Sequence, residues 1–213
     1  MNYLIKGALP AFLLVLMGVG CSTQEASNQN GDATSVVVET PSLTPPMTYS
    51  APTILPAEQI ANSFVRIKTV KGDIVIKLYP ETAPLTVSNF ISLIEQDYYS
   101  GVIFHRREEG FVIQGGDPTG TGAGGPGYTF KDELVDDYTY TRGRVAMANR
   151  GPNTNGSQFF VMLGDVPLPK AYSIFGEVVE GMDVVDRIEI GDAMIEVKVE
   201  RATTEPEAAP ETP

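Results

Sequence analysis

Residues 104–118 read FHRREEGFVIQGGDP. The stretch holds the only histidine, His105, an arginine pair, an aromatic-aliphatic run and a Gly-Gly-Asp corner. Val112 and Gln114 fall on one face of a strand, because side chains alternate with a period of two. Gly115 and Gly116 end that strand, since consecutive glycines take a backbone course that bulky residues resist. An arginine and a glutamine beside Phe111 and Val112 give an apolar floor with a few oriented donors, the usual make-up of a small-ligand or peptide pocket. The same residues also fit a plain hairpin with a solvated Arg-Arg-Glu-Glu turn, in which Glu108 and Glu109 are simply hydrated. Residue types alone leave both readings open.

Outward from there, most segments alternate. Val65, Ile67 and Thr69 precede a turn at Lys71-Gly72-Asp73, and Ile74, Ile76 and Leu78 follow it, a hairpin pattern. A helix is expected next, with Thr82 as N-cap, Pro84 in the first turn, and Val87, Phe90, Ile91 and Ile94 on its buried face. Strands are expected over 144–147, 158–163 and 173–179. A short helix over 181–188 turns Met182, Val184, Val185 and Ile188 inward, and Ile195, Val197 and Val199 resume the alternation. Gly120, Gly122 and Gly125 satisfy the dinucleotide-binding spacing, but Pro126 and Gly127 follow in place of a helix, so a glycine-rich loop is the better reading. Asn149 and Gln158 read first as turn chemistry. Many short strands with two helical patterns point to a closed or nearly closed antiparallel barrel.

The two ends differ from this middle. Residues 1–21, MNYLIKGALPAFLLVLMGVGC, carry one positive charge at Lys6 and an apolar core from Ala8 to Val19. That core is short for a membrane span and has the proportions of an export signal, with an uncleaved anchor helix as the alternative. Cys21, the only cysteine, excludes any disulfide within the chain. Its setting resembles a bacterial lipoprotein signal, which implies lipidation at Cys21, although Gly18 stands where that family prefers Leu. Residues 22–62 are Ser-, Thr- and Pro-rich with a single aromatic, Tyr49, and are expected to form a disordered tether with an end-to-end distance of about 35 Å. Residues 202–213 form a similar acidic tail. The formal charge is −12, and residues 63–204 hold 20 acids against 14 bases, a net of −6. No basic stripe survives, so no nucleic-acid partner is expected.

One histidine and one cysteine exclude a zinc site built from those ligands, and no metal or cofactor is expected. A Ser-His-Asp triad lacks a nucleophile elbow, since Ser157 sits in NGSQ.

The motifs FHRREEGFVIQGGDPTGTGAGGPGY, RVAMANRGPNTNGSQFFVML and YSIFGEVVEGMDVVDRI occur in that order. Together they resemble the cyclophilin family of peptidyl-prolyl isomerases, over about Val65 to Val199. The resemblance implies an all-β fold, a closed antiparallel eight-stranded β-barrel capped by two α-helices, spanning 63–201. It implies that Arg106 is catalytic, that Phe111, Val112, Phe160, Leu168 and Tyr172 form the proline pocket, and that Gln114, Asn149 and Gln158 hydrogen-bond beside Ala148. Tyr172 stands where many members have His. Pro167 stands where cyclosporin-sensitive members carry Trp, so weak cyclosporin binding is expected. His105 is read as packing or backbone bonding rather than acid–base chemistry, because bond rotation transfers no proton. The implied partners are proline-containing polypeptides and, through the lipid anchor, a membrane of the cell envelope, with the protein a monomer. The competing reading is a proline-peptide-binding module or chaperone with incidental turnover.

Overall fold

The computed structural model describes residues 48–135 and 139–201. The expectations for the export signal, for Cys21 and for the tail lie outside these residues. Eight strands form one curled antiparallel sheet: β1 (Ser63–Thr69), β2 (Gly72–Leu78), β3 (Arg106–Glu108), β4 (Val112–Gly115), β5 (Arg144–Met147), β6 (Phe159–Met162), β7 (Ile174–Glu180) and β8 (Met194–Arg201). They pair in the order β3-β4-β6-β5-β7-β2-β1-β8. The edge strands β3 and β8 do not form a ladder with each other. Instead, the segment before β3 meets the start of β8 and the residues just before it, through Gly101 N–H to Met194 O at 2.8 Å, Met194 N–H to Val102 O at 2.9 Å and Phe104 N–H to Asp192 O at 2.9 Å.

The β1–β2 hairpin turns at Val70-Lys71, one residue earlier than expected, and is closed by Thr69. Its hydroxyl donates to Gly72 O and accepts from Lys71 N–H. Ile195 corrects the alternation in β8. Lys68 pairs with Glu196 and Thr69 with Met194, so Ile195 is skipped by the ladder and left 48% exposed. A bulge of this kind reverses the inside-outside pattern on one side of it, which puts Met194 and Val197 in the core.

Helix α2 (Pro84–Glu95) buries the expected Val87, Phe90, Ile91 and Ile94, and also Leu93. Thr82 does not cap it. The Thr82 hydroxyl donates to Tyr79 O, and the exposed amides of the first turn are taken by Glu133, whose carboxylate accepts from Leu85 N–H, Thr86 N–H and the Thr86 hydroxyl. A carboxylate at a helix N-terminus is favoured by both bonding and dipole. Helix α3 (Met182–Arg187) starts at Gly181, where φ is +84° and a Cβ would lie 2.2 Å from Asp73 O, so only glycine fits.

The end of the expected tether is ordered. Residues 48–62 pack over α2, with the one-turn helix α1 (Ala57–Ile60) burying Ile60, Leu55 N–H donating to Ser88 Oγ at 2.9 Å, and Tyr49 edge-on to Tyr98. Tyr49, Leu55 and Ile60 supply the apolar contacts that the polar average of the segment conceals.

The sheet is covered on both faces. One face, with α2 and α3, holds the main core, which includes Phe90, Phe104, Ile113, Val145, Phe159, Val161 and Phe175. The other holds a smaller cluster of Val112, Ala146, Phe160, Met162 and Ile174, against which Phe111, Ala148, Leu168 and Tyr172 pack.

Candidate active site

The smaller cluster opens into a cavity of about 610 Å³, and the ladder register explains its contents. Arg106 pairs with Gln114, Gln114 with Phe160, Phe160 with Ala146, and Ala146 with Ile174. These five residues form one row across four neighbouring strands and β7. Side chains in a row share a face, so a guanidinium, an amide and an aromatic ring are delivered to one wall. Val112, two residues before Gln114, lies on the same face, as the alternation requires. The cavity is lined by nine of the residues that the sequence marks, Arg106, Phe111, Val112, Gln114, Ala148, Asn149, Phe160, Leu168 and Tyr172, together with His105.

Gln158 sits on the other side of Gln114, in an adjoining groove of about 500 Å³ walled by Gly122–Tyr128. A chain of hydrogen bonds joins the two. The Arg106 Nη1 donates to Gln114 Oε1 at 3.0 Å, Gln114 Nε2 to Gln158 Oε1 at 2.9 Å, and Gln158 Nε2 to the carbonyls of Gly122 and Gly124. Arg106 also lies over the Phe111 ring, 5.7 Å from its centroid, a cation–π arrangement. Phe160 and Tyr172 meet edge to face at 5.4 Å and form the far wall.

Three residues have roles that their types did not announce. Glu108 is not simply hydrated, because its Oε1 accepts from both Nε and Nη2 of Arg106. Asp117 is buried and organises the glycine loop. Its Oδ1 accepts from the Thr119 N–H and hydroxyl at 2.8 Å each, and its Oδ2 accepts from Gly124 N–H at 3.0 Å. Burial pushes this carboxyl up, but the amides of Gly124, Thr119 and Gly122 and the Thr119 hydroxyl outweigh it and hold the pKa at about 2. Gly124 approaches so closely that a Cβ there would fall 2.0 Å from Asp117 Oδ1. Asn149 lines the cavity, yet its amide is engaged inside the protein. Nδ2 donates to Ala171 O at 2.7 Å, and Oδ1 accepts from Gly151 N–H. Its side chain therefore ties two loops together.

His105 has neither ring nitrogen hydrogen-bonded among the described residues. Burial lowers its pKa, with Arg106 adding to that and Asp117 opposing it, so the ring is neutral near pH 7. Of the two roles expected of it, packing or backbone bonding, the side chain makes no backbone bond among the described residues, which leaves packing. Ser157 is structural too, with Oγ donating to Gly116 O and paired with the Tyr98 hydroxyl. Among the described residues, no three His, Cys, Asp or Glu side chains cluster as a metal site, and no helix is long and apolar enough to cross a membrane.

The model of the family described as "Cyclophilin type peptidyl-prolyl cis-trans isomerase/CLD" matches residues 64–206. The chain belongs to this family. Among curated relatives, the human "Peptidyl-prolyl cis-trans isomerase-like 3" is 47% identical over 130 residues, covering 59% of this chain and 81% of that protein. "Peptidyl-prolyl cis-trans isomerase ppi1" of Schizosaccharomyces pombe is 51% identical over 129 residues, covering 58% and 83%. Among solved structures, a cyclophilin-type isomerase of Cryptosporidium parvum, determined in the presence of the dipeptide Ala-Pro, superposes with a TM-score of 0.61 at 36% identity. That match covers 64% of this chain and 98% of the other.

Proposed function

We propose that this cyclophilin, a peptidyl-prolyl cis-trans isomerase, acts on exported polypeptides as a monomer held at a membrane of the cell envelope by lipid on Cys21. The observation that carries the enzymatic part is the meeting of the Arg106 guanidinium with the apolar cavity on one sheet face. Rotation about a peptide bond breaks its resonance, at a barrier of about 18–20 kcal/mol, and uncatalysed X–Pro exchange takes tens to hundreds of seconds. No bond to a nucleophile is needed.

The proline ring of the substrate sits against Phe111, Val112, Phe160 and Leu168. Gln114, already oriented by Arg106 and Gln158, bonds the neighbouring backbone. As the imide nitrogen leaves the plane and recovers its lone pair, Arg106 donates to it. That bond forms mainly in the twisted state, so it lowers the barrier without tightening ground-state binding. Asn149, with its amide spent on Ala171 and Gly151, meets substrate through its main chain. The same apolar wall and row of donors also fit a plain proline-peptide binder, but a binder has no use for a cation at the twisting bond.

Replacing Arg106 with Ala is expected to lower kcat/KM by about 10²–10³ in a protease-coupled peptide assay, the value of one preorganised donor. A variant with the wild-type rate would overturn the assignment. With Pro167 where an indole donor stands in cyclosporin-sensitive members, weak cyclosporin inhibition is part of the same proposal. So is closure of the sheet into a barrel, supported by the bonds between 101–104 and 191–194. The envelope reading is supported by Lys6, the apolar run 8–19 and Val19-Gly20-Cys21. Mass spectrometry of the mature N-terminus tests it, with an unmodified Cys21 counting against the anchor.

A further inference from the structure

We infer that Glu108 is a positioning residue for Arg106, a role that rests on the isomerase reading above. Both residues lie on β3, two positions apart, and therefore on the same face. Glu108 stands opposite Val112 in the ladder, at the lip of the cavity. The arginine is held along two of its three edges. Nε and Nη2 converge on one carboxylate oxygen of Glu108, and Nη1 reaches Gln114 Oε1 at 3.0 Å. The Phe111 ring supports the guanidinium face at 5.7 Å.

The need for such a clamp follows from the position of the strand. β3 is three residues long and is an edge of the sheet, and the Arg106 side chain keeps 42% of its surface exposed. An unrestrained arginine there would lose much of its rotamer freedom when it engages the imide nitrogen. The ion pair with Glu108 imposes that order before substrate arrives, so less is lost at the twisted state. The carboxylate also fixes which edge is presented. With Nε and one Nη2 hydrogen committed to Glu108, the Nη1 edge, beside the cavity-lining Gln114, is the one left to meet the substrate. Glu108 is not among the residues that line the cavity, so its route to the substrate is the guanidinium.

The experiment is a double-mutant cycle on the full chain, with steady-state isomerisation kinetics and thermal unfolding for each variant. Glu108→Ala is expected to lower kcat by roughly three- to fivefold, the scale of an exposed ion pair, with KM nearly unchanged and the melting temperature within a few degrees of wild type. Glu108→Gln, which keeps an acceptor without the charge, is expected to recover part of that loss. In an Arg106→Ala background the Glu108→Ala change is expected to have no further effect, because its only route to the substrate is gone. An unchanged or raised kcat in Glu108→Ala overturns the inference, and so does a full effect that persists without Arg106. If Arg106→Ala alone runs at the wild-type rate, it is the isomerase assignment of Arg106 that fails.

Discussion

Alternate residues of β6 face two different surroundings. Phe159 and Val161 lie in the main core, where Phe90 meets Tyr99, Phe159 and Phe175 edge to face at 5.0–5.4 Å. Phe160 and Met162 lie in the smaller cluster, where Phe160 meets Tyr172 at 5.4 Å and the cavity begins. Both phenylalanines are buried, at 0% and 5% exposure. The difference is what lies beyond each ring. Phe159 is enclosed by its own chain on every side, whereas Phe160 borders the cavity. One strand of four residues thus places its odd positions in the main core and its even ones in the smaller cluster beside the cavity.

The sharpest way to break this comparison is to truncate the two rings in turn. Phe159→Ala leaves a cavity that rigid neighbours cannot refill, and a loss of about 3–5 kcal/mol is expected on chemical unfolding. Activity per folded molecule should stay near wild type. Phe160→Ala should cost less stability, since part of its surface already faces open space, while kcat/KM falls by about tenfold as the proline ring loses its wall. Equal effects of the two changes on both measurements would show that the faces are not separate.

The next test is the pH dependence of the loop that joins the cavity to the groove. Asp117 titrates at about 2 in the folded protein, below its ordinary 3.8. The unfolded chain therefore binds the proton first as pH falls. The stabilisation is complete above the ordinary value and disappears as pH drops through 2, for a total of about 2 kcal/mol. Thermal unfolding followed between pH 5 and 2 should show this loss. Asp117→Asn should be less stable at pH 7 and flatter across that range. A parallel pH response in the two proteins would remove Asp117 as the cause.

How much of this was legible beforehand depends on distance along the chain. Most strands were readable because alternation is local, and Val112 and Gln114 fell on one face as expected, but the three residues of β3 were read as part of a turn. Ile195 was misplaced because a bulge is decided by the partner strand. Glu108 could have been found, since period two puts it beside Arg106, but adjacent carboxylates in a charged turn look alike. Asp117 carried a signal as well, the Asp-Pro-Thr of a side-chain-closed turn. The ordered strap over α2 was hidden by averaging, because Tyr49, Leu55 and Ile60 are few among polar neighbours. The proposal of a proline pocket came from the family resemblance, as Arg106 and Phe160 are 54 positions apart and only the ladder register brings them to one wall.

The smallest expected effect concerns a residue that connects the two faces. Glu133 caps α2, a helix of the main core, through Leu85 N–H, Thr86 N–H and the Thr86 hydroxyl. Its own N–H donates to Ser173 Oγ at 2.8 Å, next to Tyr172 in the wall of the cavity. If the faces are energetically separate, Glu133→Gln should weaken the cap by about 1 kcal/mol and do nothing to the rate, because the change reaches only the helix end. Chemical unfolding and peptide isomerisation, measured on the same preparation, decide the matter. A drop in kcat larger than the fraction of unfolded protein would mean that strain at the helix terminus reaches Tyr172 through Ser173, and the division between a folding face and a binding face would have to be redrawn around that loop.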